Sequence, residues 1–60
     1  NEDEIAAMNE IKEKGKELGD LVQKLRDNPV MDQRWVAVGA TDLQKGLMAL
    51  TRSVAKPDFF

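Results

Sequence analysis

The chain has no cysteine and no histidine among its 60 residues. The first absence excludes a disulfide framework, and together they remove the usual structural zinc ligands. A chain this short buries little surface and normally leans on such staples or on partner subunits. Self-association is therefore the expected route to stability. Aromatic residues are scarce as well, with one tryptophan, two phenylalanines and no tyrosine. No apolar run approaches the roughly 20 residues of a membrane span, and no signal-peptide pattern opens the chain. Absence of cysteine also permits an intracellular setting. The first residue is Asn1 rather than methionine, so residues preceding it are expected.

The charge that is present is unevenly placed. Overall the balance is −2, which argues against a duplex nucleic-acid binder. Residues 1 to 30 carry the acids Glu2, Asp3, Glu4, Glu10, Glu13, Glu17, Asp20 and Asp27 against five bases. Residues 33 to 57 carry Arg34, Lys45, Arg52 and Lys56 against Asp42 alone. The second half is thus suited to face a small anion although the whole chain is acidic.

Hydrophobic spacing predicts two helices, at about 3–27 and 33–55, in a single domain spanning 1–60. In the first, Met8, Ile11, Gly15, Leu18, Val22 and Leu25 step by three and four and form a seam with one glycine gap. Its other faces hold Glu and Lys, with Glu10 and Lys14 spaced for an i,i+4 pair. Asn28-Pro29 stops this helix, because a residue before proline is pushed out of the α region. Asp32 is the expected N-cap of the second, with Met31 and Val36 as a hydrophobic staple. Lys56 suits its C-terminal dipole, Pro57 ends it, and a tail closes with Phe59 and Phe60. The product is an all-α, antiparallel two-helix hairpin.

The second helix carries three stripes, one more than a hairpin needs. Val36, Ala40, Leu43, Leu47, Leu50 and Val54 form the seam expected to meet the first helix. Trp35, Gly39, Gly46, Ala49 and Ser53 form a stripe of small residues behind one tryptophan, interrupted by Asp42. Arg34, Val38, Thr41, Lys45, Met48 and Arg52 mix cations with apolar surface. Each helical glycine costs about 1 kcal/mol relative to alanine, so two of them a heptad apart imply close approach of another helix or of a ligand. Close subunit packing is the preferred explanation, with Trp35 as an interface or core anchor.

Catalytic chemistry is poorly represented. Ser53 and Thr51 have no histidine to act as base, and the carboxylates cluster on an exposed helix where nothing forces their pKa values apart. Neither a Walker loop nor a dinucleotide GxGxxG motif is present. No enzyme, cofactor or metal site is expected. What remains is the third stripe, where Thr41, Lys45 and Arg52 offer donors to a phosphate and Met48 and Val38 offer apolar contact to a base or sugar. On a monomer Arg52 reads as a solvated charge; in a crevice between subunits its fixed fork of N–H groups is a phosphate anchor.

The segment DQRWVAVGATDLQKGLMALTRSVAKP, residues 32 to 57, resembles the signature of small phage helical-hairpin proteins that sequester cyclic-nucleotide immune signals. These are the anti-CBASS sponge and its Thoeris-countering relative. The resemblance rests on Arg34-Trp35, Thr41, Gln44, Gly46, Met48-Ala49-Leu50, Arg52, Ala55 and Pro57. It implies a non-enzymatic homohexamer in the cytoplasm of the infected bacterial host, holding intact cyclic dinucleotides, cyclic trinucleotides or cyclic ADP-ribose derivatives. Carried over by position, Arg52 holds the trinucleotide where three protomers meet, with Met48, Ala49 and Gly46 lining the pocket, and Lys12 serves a dinucleotide site. The chain departs from the pattern at Leu47, where phenylalanine is frequent, at Asp42, and in having no tyrosine. A structural helical-hairpin module that oligomerises or docks another protein is the alternative.

Overall fold

A computed structural model describes residues 1–56 and shows two α-helices joined by a short turn, an all-helical hairpin. The expectations placed on Pro57, Phe59 and Phe60 lie outside the described residues. Helix α1 spans Glu2–Arg26 and helix α2 spans Gln33–Ala55.

Local chemistry sets each boundary. Asn1 caps α1 through its side chain, which accepts the Glu4 backbone N–H at 2.9 Å, while the Glu4 carboxylate reaches back to the Asn1 backbone nitrogen. Asp27 closes α1 in the right-handed region with its N–H on the Gln23 carbonyl. The Asn28 side chain then accepts the Val30 N–H at 3.0 Å, and the Met31 N–H bonds the Asn28 carbonyl at 3.1 Å. Asp32 restarts the chain as expected, accepting the N–H groups of Arg34 at 3.0 Å and Trp35 at 3.3 Å. Losing such a cap costs about 0.5–2 kcal/mol. Asp32→Ala is accordingly expected to lower the thermal midpoint, and Asp32→Ser to preserve it.

One tie in the turn was not foreseen. The Gln33 side-chain amide donates toward the carbonyls of Leu25, Asn28 and Met31, at 3.1, 3.2 and 3.3 Å. These groups have few intrahelical partners, since the last carbonyls of a helix and the peptides of a turn are left over by construction. At the far end, Lys56 adopts a left-handed conformation (φ 48°, ψ 58°) and bonds the Arg52 carbonyl at 2.7 Å. That conformation favours glycine by removing the Cβ clash.

The inter-helix seam follows the heptad reading on α1, where Met8, Ile11, Gly15, Leu18, Val22 and Leu25 are all half-buried. On α2 the seam needs correction. Val36, Ala40, Leu43, Leu47 and Val54 face α1, but Leu50 is 54 % exposed and Thr51 takes its place half-buried. A straight helix of 3.6 residues per turn drifts by about 20° per heptad against a 3.5-residue repeat. Two heptads from Val36 the drift carries Leu50 out of the seam and brings in the next residue. The Thr51 hydroxyl is satisfied there by the Leu47 carbonyl at 2.9 Å.

The predicted Glu10–Lys14 pair does not form. Lys14 instead meets Glu17 at 3.5 Å, and both side chains remain exposed. Exposed pairs of this kind contribute little.

Gly15 is the glycine at which the two helices come close. A Cβ built there would lie 3.5 Å from a Leu47 methyl, an ordinary van der Waals contact. Gly15→Ala is therefore expected to raise stability by about 0.5–1 kcal/mol through lower unfolded-chain entropy, measured by denaturant unfolding at fixed protein concentration.

The hairpin is thin, measuring 44 × 23 × 8 Å over its Cα atoms, with a radius of gyration of 14.1 Å. A compact domain of this length would have about 10 Å. Ala40 is the one buried hydrophobic residue among those described. The accessible surface is 5197 Å², roughly a third more than the 3,900 Å² or so expected of a folded monomer of this mass. Such a shape leaves most apolar side chains without cover.

Candidate functional site

Three surfaces surround the seam on α2, and they follow directly from 100° of rotation per residue. On one flank lie Trp35, Gly39, Gly46 and Leu50, the last displaced there by the drift just described. On the side turned away from α1 lie Arg34, Val38, Thr41, Lys45, Met48 and Arg52. The remaining flank presents Gln44 beside Gly15, Gly19 and Arg26 of α1, around a shallow groove of about 240 Å³.

The first flank is the most apolar. Leu21, Leu25, Met31, Trp35, Gly39 and Leu43 border a groove of about 360 Å³. Leu18, Gly46, Leu47 and Leu50 border its continuation toward the C-terminal end of α2. Met31 and Val36 both border the first groove. Trp35 is 67 % exposed, which removes the reading of it as a core anchor within one hairpin. Gly39 and Gly46 have nothing within 4 Å of a built Cβ. Inside a single chain, then, neither glycine has a packing reason to be glycine.

The outward face carries the cations. Thr41, Lys45, Met48 and Arg52 follow one another at steps of four, three and four residues, and all four are exposed. They form one continuous strip along α2, with the Thr41 hydroxyl at one end and the Met48 thioether between the two cationic heads. Arg52 and Lys45 have no carboxylate partner among the described residues. A strip of this composition can bind an anion by charge and by N–H donation while a methionine contacts an apolar or aromatic ring.

A single chain does not gather all the residues expected at a ligand site. Ala49 borders the cationic strip, about 60° around the helix from Arg52, whereas Gly46 lies about 120° away on the glycine flank. Lys12 is on α1, exposed, one turn from Gly15. A pocket containing Arg52 and Gly46 together needs more than one copy, and Lys12 lies apart from both, on the other helix.

No cluster of His, Cys, Asp and Glu among the described residues is arranged to hold a metal ion. No described helix is long and apolar enough to cross a membrane.

Compared with protein families, residues 1–55 match the Acb2/Tad1 hairpin domain. The chain belongs to this family. Its members are the anti-CBASS and anti-Thoeris sponges, so the resemblance carried by residues 32 to 57 extends back through α1. The hairpin of the Acb2/Tad1 domain is the two-helix arrangement described above. Comparison with curated proteins and with solved structures finds no match.

Proposed function

We propose that this Acb2/Tad1 hairpin is a phage anti-defence sponge that binds cyclic oligonucleotide immune signals and withholds them intact from a bacterial effector. It acts in the cytoplasm of the infected host as a homo-oligomer, most simply a hexamer. Its ligands are cyclic di- and trinucleotides, with cyclic ADP-ribose derivatives as a further class. The observation that carries the reading is the exposed strip Thr41, Lys45, Met48 and Arg52 on a chain of this family.

The physical case has two parts. Arg52 and Lys45 have no carboxylate partner among the described residues, and symmetric assembly near an axis would crowd copies of Arg52. A polyanionic ring of phosphates relieves that crowding. Met48, Ala49 and Gly46 supply apolar surface and room around the anchor, and Lys12 on α1 is assigned to a separate dinucleotide site. Sequestration needs no catalytic group, which accords with a chain that lacks histidine and cysteine.

The test is capture followed by release. The protein is incubated with a cyclic trinucleotide, separated from free ligand, heated to denature it, and the supernatant is chromatographed. A sponge returns intact ligand. Recovery of linear product would make the protein a phosphodiesterase, and recovery of nothing would leave a structural or protein-docking hairpin.

A further inference from the structure

We propose that Met48 is an oxidation-sensitive site, at which a hydroperoxide converts the thioether to a sulfoxide and the new oxygen draws the Arg52 guanidinium away from the phosphate it would otherwise hold. The loss of ligand rests on the sponge reading above. The oxidation of Met48 and its pull on Arg52 do not.

Three observations converge on Met48. The chain has three methionines and no cysteine, so an oxidant that attacks sulfur finds only thioethers. Met48 is the most open of them: it is 51 % exposed, Met31 is 36 % exposed beside the apolar groove, and Met8 is half-buried in the seam. Oxidation of sulfur follows exposure, so Met48 is expected to react first. It also stands between two cations, with Lys45 three residues before it and Arg52 four residues after, all three exposed. Neither cation pairs with a carboxylate among the described residues, so a new acceptor placed between them meets no competing side chain there.

In the step, the sulfur lone pair attacks one oxygen of hydrogen peroxide, the O–O bond breaks and an S–O bond forms. Sulfur loses two electrons and the peroxide is reduced. The proton on the transferred oxygen passes to the departing hydroxide, which leaves as water. The product exchanges a soft apolar contact for a polar acceptor. A helical side chain covers the turn on the N-terminal side of its own Cα, and Met48 lies one turn before Arg52, about 6 Å along the axis and about 40° around it. The sulfoxide oxygen is therefore within reach of the guanidinium. A base or sugar resting on the Met48 thioether would then meet a polar group, and the phosphate would share its anchor. A bound ligand covers the same sulfur, so the modification falls on the empty site.

Treatment of the full chain with hydrogen peroxide, followed by peptide mapping, reads the site. Met48 should gain one oxygen before Met31 and Met8, and bound cyclic trinucleotide should slow that gain. Trinucleotide affinity should fall roughly tenfold or more on oxidation, the factor implied by sharing one charged hydrogen bond. It should return when a methionine sulfoxide reductase removes the oxygen. Each variant is compared with its own untreated form: Met48→Leu should show no change on peroxide treatment, and Met31→Leu should lose affinity as the wild type does. With no ligand present, the Arg52 side-chain N–H resonance should shift on oxidation of the wild type and stay in place in Met48→Leu. Oxygen entering Met8 or Met31 first, or a Met48 sulfoxide that leaves either the Arg52 resonance or a measurable trinucleotide affinity unmoved, would overturn the proposal. If the untreated chain captures no trinucleotide, the sponge reading fails, and the mapping and the resonance alone decide whether Met48 oxidises first and engages Arg52.

Discussion

Arg52→Ala is expected to abolish capture of cyclic trinucleotides while leaving the assembly in place. Arg52 is exposed on the outward face of α2 and makes no ion pair among the described residues, so the hairpin loses little by its removal. The ligand loses a great deal. A hydrogen bond to a charged group contributes roughly 1.5–3 kcal/mol, and three copies meeting one trinucleotide would lose it three times over. Affinity should fall roughly a thousandfold or more, since each 1.4 kcal/mol is a factor of ten. Without ligand the variant oligomer should be as stable as the wild type or more so, because crowded like charges are removed. A separate dinucleotide site should keep its affinity. Calorimetry of the variant against both ligand classes separates the outcomes: wild-type trinucleotide affinity would make Arg52 a solvated charge, and loss of both affinities together with the assembly would make it structural.

Gly46→Leu is expected to break self-association without unfolding the hairpin. Nothing in the chain lies within 4 Å of a Cβ at this position, and leucine favours the helix over glycine by nearly 1 kcal/mol. Any loss must therefore come from outside the chain. Overfilling a packed contact costs typically 1–3 kcal/mol, and each copy in a symmetric assembly would repeat it, so association should weaken roughly a hundredfold or more. Gly39→Leu should behave the same way, because Gly39 lies on the same flank and likewise has nothing in the chain within 4 Å of a built Cβ. Light scattering and circular dichroism together decide this: a helical monomer is the expected result, and a variant that assembles like the wild type would leave both glycines without an explanation.

Much of the fold was legible because single residues set its boundaries. Asn28-Pro29 and Asp32 bracket the turn, and the α1 seam matches its apolar spacing position for position. What escaped the sequence depended on geometry beyond the spacing rules. Leu50 and Thr51 exchanged roles because a real helix drifts against a heptad count. Lys14 had carboxylates at both i−4 and i+3 and took the latter, a choice among nearly equal solvated pairings. Gln33 offered no pattern, as its amide reaches three carbonyls only once the turn has formed. The candidate site was legible as a stripe on α2, in Thr41, Lys45, Met48 and Arg52. It does not close into a pocket on one chain, since Gly46 lies on another face of α2.

Native mass spectrometry of the full chain with a cyclic trinucleotide tests the central claim most directly, because one spectrum reads the oligomer, the number of ligands and the mass of each ligand. The expected result is a homo-oligomer that carries fewer trinucleotides than chains, each ejected on activation at its intact mass. A spectrum in which the protein remains ligand-free, or in which the ligand has gained the mass of water, would contradict the account.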